Sequence, residues 1–245
     1  MAGVIQESFE LYKDKISLAV IFSIPFLIAF AIPLLATLPT YISAGAIFLR
    51  SASIFVNGNI SLLSLAVITV STIFSLLFLS FAFVLISILV KSKRTHSTIG
   101  SRTFKNIEAH VGKVFAIFLV YTIMVIAANI IGYSFGISAL LTAAVGFFVF
   151  AIIFYAPSAV VVDDKKIMRA IKDSARLVLR EPQYFILWLV LVTIVISVLD
   201  MASISIFGTF WSRYIALVLN SLFVVPFFVI FIAEAYMDRF RLLRH

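Results

Sequence analysis

Side chains suited to catalysis are sparse in this 245-residue chain. Its three histidines, His96, His110 and His245, fall in charged segments, and none belongs to an HExxH pattern, which places two zinc ligands and a base on one helix. We therefore expect each histidine to be solvated or interfacial. The chain also has no GxSxG elbow, no glycine-rich phosphate loop and no paired aspartates within an apolar run. The sequence thus predicts no catalytic residue, no metal site, no cofactor and a protein that is not an enzyme.

Polar residues within or beside the apolar runs are the remaining candidates for chemistry, because such groups are costly in a hydrocarbon layer. They are Asn129, Asp200, Arg213, Asn220 and Glu234. An ion pair between Asp200 and Arg213 across an external turn is the structural interpretation, and a proton or cation site is the alternative. Glu234 is expected to pair with a nearby cation. The two asparagines either bond a neighbouring helix or line a polar path.

The densest charge lies in residues 163–182, with the sequence DDKKIMRAIKDSARLVLREP. Apolar and small residues recur there at the spacing of one helix face, namely Ile167, Ala170, Ile171, Ser174, Ala175 and Val178. The opposite face carries Arg169, Lys172, Asp173, Arg176 and Arg180. Asp163 and Asp164 are candidate N-caps, and Pro182 forbids easy continuation. The pattern predicts a basic amphipathic helix in a membrane interface, with its cations among lipid headgroups.

A second basic segment precedes the third apolar run. Its cations are Lys91, Lys93, Arg94, Arg102, Lys105 and Lys113. The first five of these, together with Arg169, Lys172, Arg176 and Arg180, form the predicted surface for binding lipid or a partner.

Composition places the whole chain in a membrane. The sequence is 63% hydrophobic and 12% charged, with a mean hydropathy of +1.19, whereas soluble domains carry about 25% charged residues. The net charge of +8 does not indicate nucleic acid, because the cations occupy segments that membrane topology explains and no nucleic-acid-binding motif is present. The absence of cysteine excludes disulfides and thiolate chemistry.

The apolar runs predict an all-α integral membrane protein with a single membrane domain, residues 1–245. Six spans are expected at residues 16–37, 62–90, 114–135, 139–162, 183–206 and 213–236. Amphipathic interfacial helices are expected at residues 3–15, 99–112 and 164–181. A weak internal repeat groups these elements as three helical hairpins, each preceded by an interfacial helix. Ala128, Gly132 and Gly136 allow close helix approach, either inside the monomer or at a dimer face.

The distribution of basic residues predicts the orientation. All of the 19 Lys and Arg residues except Arg50 and Arg213 fall on one side of the predicted spans. Cytoplasmic segments carry the excess of basic residues. Both termini are therefore expected in the cytoplasm, with the protein in the cell membrane.

Residues 156–192 contain Pro157, a run of valines that ends at Asp163, Ala170-Ile171, Ser174 and Leu177. With these residues the segment resembles the six-span membrane domain attached to some glycerophosphodiester phosphodiesterases and related uncharacterised membrane families. The resemblance implies a membrane module. It does not imply phosphodiesterase activity, because the catalytic domain of those enzymes is missing here.

Two functional hypotheses follow. The first is a non-catalytic scaffold, or a module that binds lipids or a partner through its basic cytoplasmic face. Its partners would be anionic lipid headgroups, a protein or a second copy of the chain, but not nucleic acid. The alternative is a transporter or channel for a small or lipidic solute, which requires a water-accessible cavity that reaches Asn129, Asn220 or Asp200.

Overall fold

A computed structural model describes residues 2–35, 40–43, 46–49, 62–94 and 106–239. The helices in these residues are α1 (Ala2–Asp14), α2 (Ile16–Leu35), α3 (Leu62–Arg94), α4 (Ile107–Ser134), α5 (Ser138–Ile153), α6 (Ala156–Asp163), α7 (Ile167–Arg180), α8 (Pro182–Leu219) and α9 (Val225–Arg239). A short antiparallel hairpin of β1 (Thr40–Ser43) and β2 (Ala46–Leu49) pairs Thr40 with Leu49. The sequence pattern did not predict this hairpin.

Five helical stretches are long and apolar enough to cross a membrane. They are Leu65–Lys93, Ile107–Ser134, Ser138–Asp163, Pro182–Gly208 and Tyr214–Asp238. A sixth span is present if α1 and α2, which are bent by 91° at their junction, are taken together. The prediction of a helical chain with several membrane-length apolar helices is confirmed, at a count of five or six.

The predicted fourth span is broken near its end. Pro157 lies in the first turn of α6, and α5 ends at Ile153. Because proline has no N–H and its ring clashes with the carbonyl four residues earlier, a continuous helix through this position would lose a hydrogen bond. The regular helical hydrogen bonding is therefore interrupted at Phe154 and Tyr155, whose backbones stay in the right-handed helical region, and it resumes in α6 from Ala156.

Two further irregularities lie in the last third of the chain. Gly208 interrupts α8 with φ 70° and ψ 174°, a conformation that residues with a Cβ rarely adopt, and so separates the last two membrane-length stretches. Residues Asn220–Val224 form a π turn in which the Val225 N–H bonds the Asn220 carbonyl. Pro226 follows directly, and the wider turn accommodates a ring that would clash with a carbonyl in a regular α-helix.

The buried core lies at one end of the helix bundle. Every residue in the ranges 82–90, 153–162 and 228–237 is buried. These ranges are the final turns of α3, the α5–α6 junction with α6, and the final turns of α9. In the most apolar 18 residues of each membrane-length stretch, the buried share is 56% for Leu65–Lys93, which belongs to α3, and 61% for Tyr214–Asp238, which includes α9. It is only 17% for Ile107–Ser134 (α4) and 6% for Pro182–Gly208 (α8). We conclude that α3 and α9 are central, whereas α4 and α8 present apolar side chains outward.

The junction of α4 and α5 explains part of the small-residue pattern. A Cβ on Gly132 would lie 2.7 Å from the Cα of Ser138, so this glycine permits close contact within the monomer. Ala128 is also buried. Gly136 has open space around it but a φ of +70°, so it serves the turn rather than the packing.

The predicted interfacial helix at residues 99–112 lies only partly in the described chain, so it stays a prediction. Residues 107–112 are the first turns of α4, continuous with the membrane-length helix, and residues 99–105 lie outside the described part of the chain. His110 is consequently buried rather than solvated, because Ile107, Val111 and Val114 share its inward helix face. His96 and His245 lie outside the described residues.

Candidate functional site

Helix α7 occupies the end of the bundle where the core lies. It packs on α5, α6 and the start of α8. Its inward face buries Ala170, Ser174, Leu177 and Val178. Ile167, Ile171 and Ala175, also assigned to the apolar face from the sequence, are half-buried.

The outward face of α7 carries four exposed cations, Arg169, Lys172, Arg176 and Arg180. Among the described residues, none of these four makes an ion pair or side-chain hydrogen bond. Asp173, which the helical pattern placed on the same face, is half-buried and turns to a different partner. The exposed side of α7 is therefore more positive than its sequence indicates.

The partner of Asp173 is Lys165, which lies at the centre of a charged network. Its Nζ is 3.1 Å from Asp163 Oδ2 and 3.0 Å from Asp173 Oδ2. It also donates to the phenolic oxygen of Tyr236 at 2.9 Å. The Tyr236 hydroxyl in turn donates to Asp163 Oδ2 at 2.5 Å. This Lys165 network joins the end of α6, the body of α7 and the last turns of α9.

The network also sets the ionisation of Lys165. Burial lowers the pKa of its ammonium, but the hydrogen bonds to Asp173 and Asp163 outweigh that effect, so the pKa lies above its ordinary value. Lys165 thus stays charged throughout the neutral range. Its charge is directed at two carboxylates inside the protein and not at an external ligand.

A second anchor holds the neighbouring residue. Asp164 has a left-handed backbone with φ 49°, the one positive φ outside glycine in the described chain. Its carboxylate accepts from Lys113 Nζ of α4 at 2.6 Å and lies 3.6 Å from His110 Nε2. The hydrogen bond and charge of Lys113 lower the pKa of Asp164, burial opposes this, and the charges of His110 and Lys91 add to the lowering.

These contacts correct the expected start of α7. Asp163 and Asp164 are not its N-caps, because both carboxylates are engaged with other elements. The N-cap position is held by Lys166, which has an extended backbone and no side-chain capping bond. The capping prediction used only neighbouring residues, so it did not include partners such as Lys113 of α4.

A third contact ties α7 to the break in the preceding span. Tyr155, at the α5–α6 junction, donates its backbone N–H to the hydroxyl of Ser174 at 2.9 Å. Both residues are buried. A buried N–H without a partner is costly, so Ser174 replaces the hydrogen bond that a continuous helix would have supplied.

The cations of the second basic segment have internal partners where the structure describes them. Lys91 Nζ donates to the Val161 carbonyl near the end of α6 at 3.1 Å, which suits a cation at a helix C-terminus. Lys93 pairs with Asp14 of α1 at 3.3 Å. The side chains of Arg94, Arg102 and Lys105 lie outside the described part. The predicted basic surface is therefore carried, in the described chain, by α7.

The polar candidates of the apolar runs are dispersed. Asn129 donates to the Thr142 hydroxyl at 3.2 Å and so joins α4 to α5. Asp200 is half-buried in α8, while the side chain of Arg213 lies outside the described part, so their ion pair stays a prediction. Asn220 begins the π turn and Glu234 is 2% exposed in the core segment of α9. They do not form one cluster in the contacts described.

Two apolar side chains on the outward side of α7 were also missed by the sequence pattern. Met168 is 68% exposed and Leu179 is 84% exposed. Their separation of eleven positions, close to three helical turns, was the available signal. Lys165 and Tyr236 were missed because they are 71 positions apart.

Fold and site together define a helical protein of the membrane-spanning class, with a short basic helix packed at the end of the bundle where the core lies. In the described residues, no group of three or more His, Asp or Glu side chains is placed to hold a metal ion. No protein-family model matches the chain, and no significant match was found among curated proteins or solved structures. The resemblance of residues 156–192 to the phosphodiesterase-associated membrane domain stays a prediction.

Proposed function

We propose that this protein is a non-catalytic membrane module of the cell membrane that binds anionic lipid headgroups through the exposed cations of α7. The observation that carries the proposal is the separation of charges around this helix. Asp163 and Asp173 face Lys165, and Asp164 faces Lys113. The cations Arg169, Lys172, Arg176 and Arg180 are left outward, so the charge that α7 offers to a ligand is positive.

The position of α7 supports lipid as the ligand. The helix begins directly after the membrane-length stretch Ser138–Asp163 and ends just before Pro182–Gly208 begins. A helix between two spans lies at the level of the headgroups. The excess of basic residues on this side of the spans favours the cytoplasmic leaflet, with both termini in the cytoplasm. That leaflet is the one rich in anionic lipid.

The expected strength follows from the number of cations. A basic residue near an anionic membrane surface contributes about 1 kcal/mol. Four cations acting together would contribute roughly 4 kcal/mol, which is a several-hundred-fold preference for anionic over neutral lipid. Arginine adds geometric specificity, because its guanidinium can grip a phosphate with two hydrogen bonds.

Charge reversal tests the proposal. The variant Arg169→Glu, Lys172→Glu, Arg176→Glu, Arg180→Glu is purified in mild detergent beside the parent, and both are incubated with mixed phosphatidylglycerol and phosphatidylcholine. Mass spectrometry then measures the lipid that is retained. The parent should retain phosphatidylglycerol preferentially, and the variant should lose that preference.

The matched control keeps charge and removes only the guanidinium, with Arg169→Lys, Arg176→Lys and Arg180→Lys. It should keep most of the preference. Equal retention of phosphatidylglycerol by the parent and the reversal variant would overturn the proposal. Retention of a stoichiometric protein by the parent, with no lipid preference, would instead favour a protein partner.

The transport alternative has less support in the contacts described. It required a water-accessible path along Asn129, Asn220 or Asp200. The Asn129 amide bonds Thr142 on the adjacent helix, an arrangement that serves helix packing. Solute flux in proteoliposomes remains its direct test.

A further inference from the structure

The exposed surface of α7 has two sectors. The cations Arg169, Arg176 and Arg180 follow one line along the helix, since they are spaced by seven and four positions. Met168 and Leu179 follow a second line, about a quarter turn away, with Lys172 between the two lines. Neither line belongs to the buried face.

The apolar line is not needed for docking α7 to the bundle. Ala170, Ser174, Leu177 and Val178 supply the packed face. The Lys165 network and the Ser174 hydroxyl fix the helix at polar contacts. Met168 and Leu179 are therefore free to contact the medium around the protein, either water or lipid.

The helices around α7 indicate whether Met168 and Leu179 contact water or lipid. The helix packs on α5 and α8. Both belong to membrane-length stretches, and both expose large apolar side chains, among them Phe148 at 65% and Ile186 at 55%. An interfacial helix with a cationic and an apolar sector places the cations among phosphates and the apolar sector among acyl chains.

We propose that the Met168–Leu179 line enters the acyl layer, so that α7 binds an anionic phospholipid through both its phosphate and its chains. This inference rests on the proposed function and adds the second half of the ligand. A soluble phosphate compound or an acidic peptide would satisfy the arginines but not the apolar line. The ligand class is accordingly a membrane-embedded lipid.

The cysteine-free sequence allows a direct test of depth. A single nitroxide label is introduced at Met168→Cys, Leu179→Cys, Arg169→Cys or Arg176→Cys in the full chain, in vesicles of phosphatidylglycerol and phosphatidylcholine. Collisions with oxygen and with a water-soluble nickel complex report the depth of each label. Labels at 168 and 179 should lie about 5–10 Å below the phosphates. Labels at 169 and 176 should lie at the phosphates or above them.

Equal access of the nickel complex to all four labels would overturn the inference. Phe148→Cys, on a membrane-length stretch, provides the reference for a lipid-exposed site. Because all the labelled side chains on α7 are exposed, their replacement removes little packing. As an independent reading, Leu179→Trp should add fluorescence that lipids brominated on their acyl chains quench, relative to the parent with its native tryptophans.

The two proposals fail differently. If labels at 168 and 179 are in water while phosphatidylglycerol is still preferred, the acyl-layer inference is wrong and headgroup binding stands. If both labels are deep but charge reversal leaves lipid retention unchanged, α7 is inserted without choosing anionic lipid. In that case the proposed function fails.

Discussion

Replacing Lys165 with methionine removes the cation at the centre of the Lys165 network and keeps much of the side-chain volume. Asp163 and Asp173 then face each other with no compensating charge, and Tyr236 loses a donor. Removing one partner of a buried pair destabilises by roughly 3–5 kcal/mol. The side chains of Lys165, Asp163 and Asp173 keep 20%, 18% and 28% exposure, so water screens part of the effect. We expect about 3 kcal/mol, the lower end of that range.

This loss should appear as local opening of α7, because the network fastens that helix to α6 and α9. A change of about 3 kcal/mol corresponds to roughly 100-fold faster amide exchange where opening limits exchange. Hydrogen exchange read by mass spectrometry on peptides from α7 is the assay, with peptides from α3 as the internal reference. Lys166→Met is the matched control, since Lys166 makes no side-chain bond to another described residue. Exchange in α7 that is the same in the two variants would refute the reasoning.

The same network predicts a pH dependence. The folded pKa of Lys165 lies above its ordinary value of 10.5, because its two carboxylate partners outweigh burial. The stabilisation is therefore fully present below pH 10.5 and is lost as the pH rises through the folded pKa. Protection of α7 in the parent should fall in that alkaline range. Lys165→Met should remove this step, and a step that persists in the variant would assign it to another group.

Two further substitutions test the packing. Ser174→Ala leaves the buried Tyr155 N–H without its acceptor and should destabilise by about 1–3 kcal/mol, seen as faster exchange at the α5–α6 junction. Ser221→Ala is the control, because the Ser221 hydroxyl donates to the carbonyl of Leu217, four residues earlier in the chain, and accepts no described backbone N–H. Gly132→Ala puts a Cβ 2.7 Å from a backbone atom of α5 and should cost about 1–3 kcal/mol in thermal unfolding. Gly146→Ala meets its nearest atom at 3.6 Å and should be nearly neutral, so equal shifts for both glycine variants would contradict the close-approach argument.

Local periodicity was enough to predict the helices and the orientation of α7. Ala170, Ser174 and Val178 fall on its buried face because side chains on one face repeat every three or four residues. Apolar length likewise predicted several helices long enough to cross a bilayer, since each span must match one bilayer thickness.

The contacts that hold α7 to the rest of the protein could not be predicted from local periodicity. Tyr236 meets Lys165 across 71 positions, and Ser174 meets Tyr155 across 19. Which side chains meet across helices depends on how the helices pack, and a single sequence carries no direct signal of that. His110 was expected to be solvated or interfacial. Its burial within the protein shows that it is not solvated, and the interfacial alternative stays a prediction. The helix α4 runs through residues 107–112 and places His110 on its buried face with Ile107 and Val111, whereas Glu108 stays exposed.

The hydroxyl of Ser174 has a consequence for the thermodynamics of ligand binding. Because α7 supplies a hydrogen bond that the broken span lacks, detaching the helix would leave an N–H unsatisfied inside the core. The arginines are thus presented by a backbone that is already ordered before any lipid arrives. Binding of a lipid there costs the entropy of immobilising the lipid and of ordering the cationic side chains, but it does not cost the entropy of folding a helix. The basic face is preorganised, unlike that of a surface-seeking peptide that folds only on contact with a membrane.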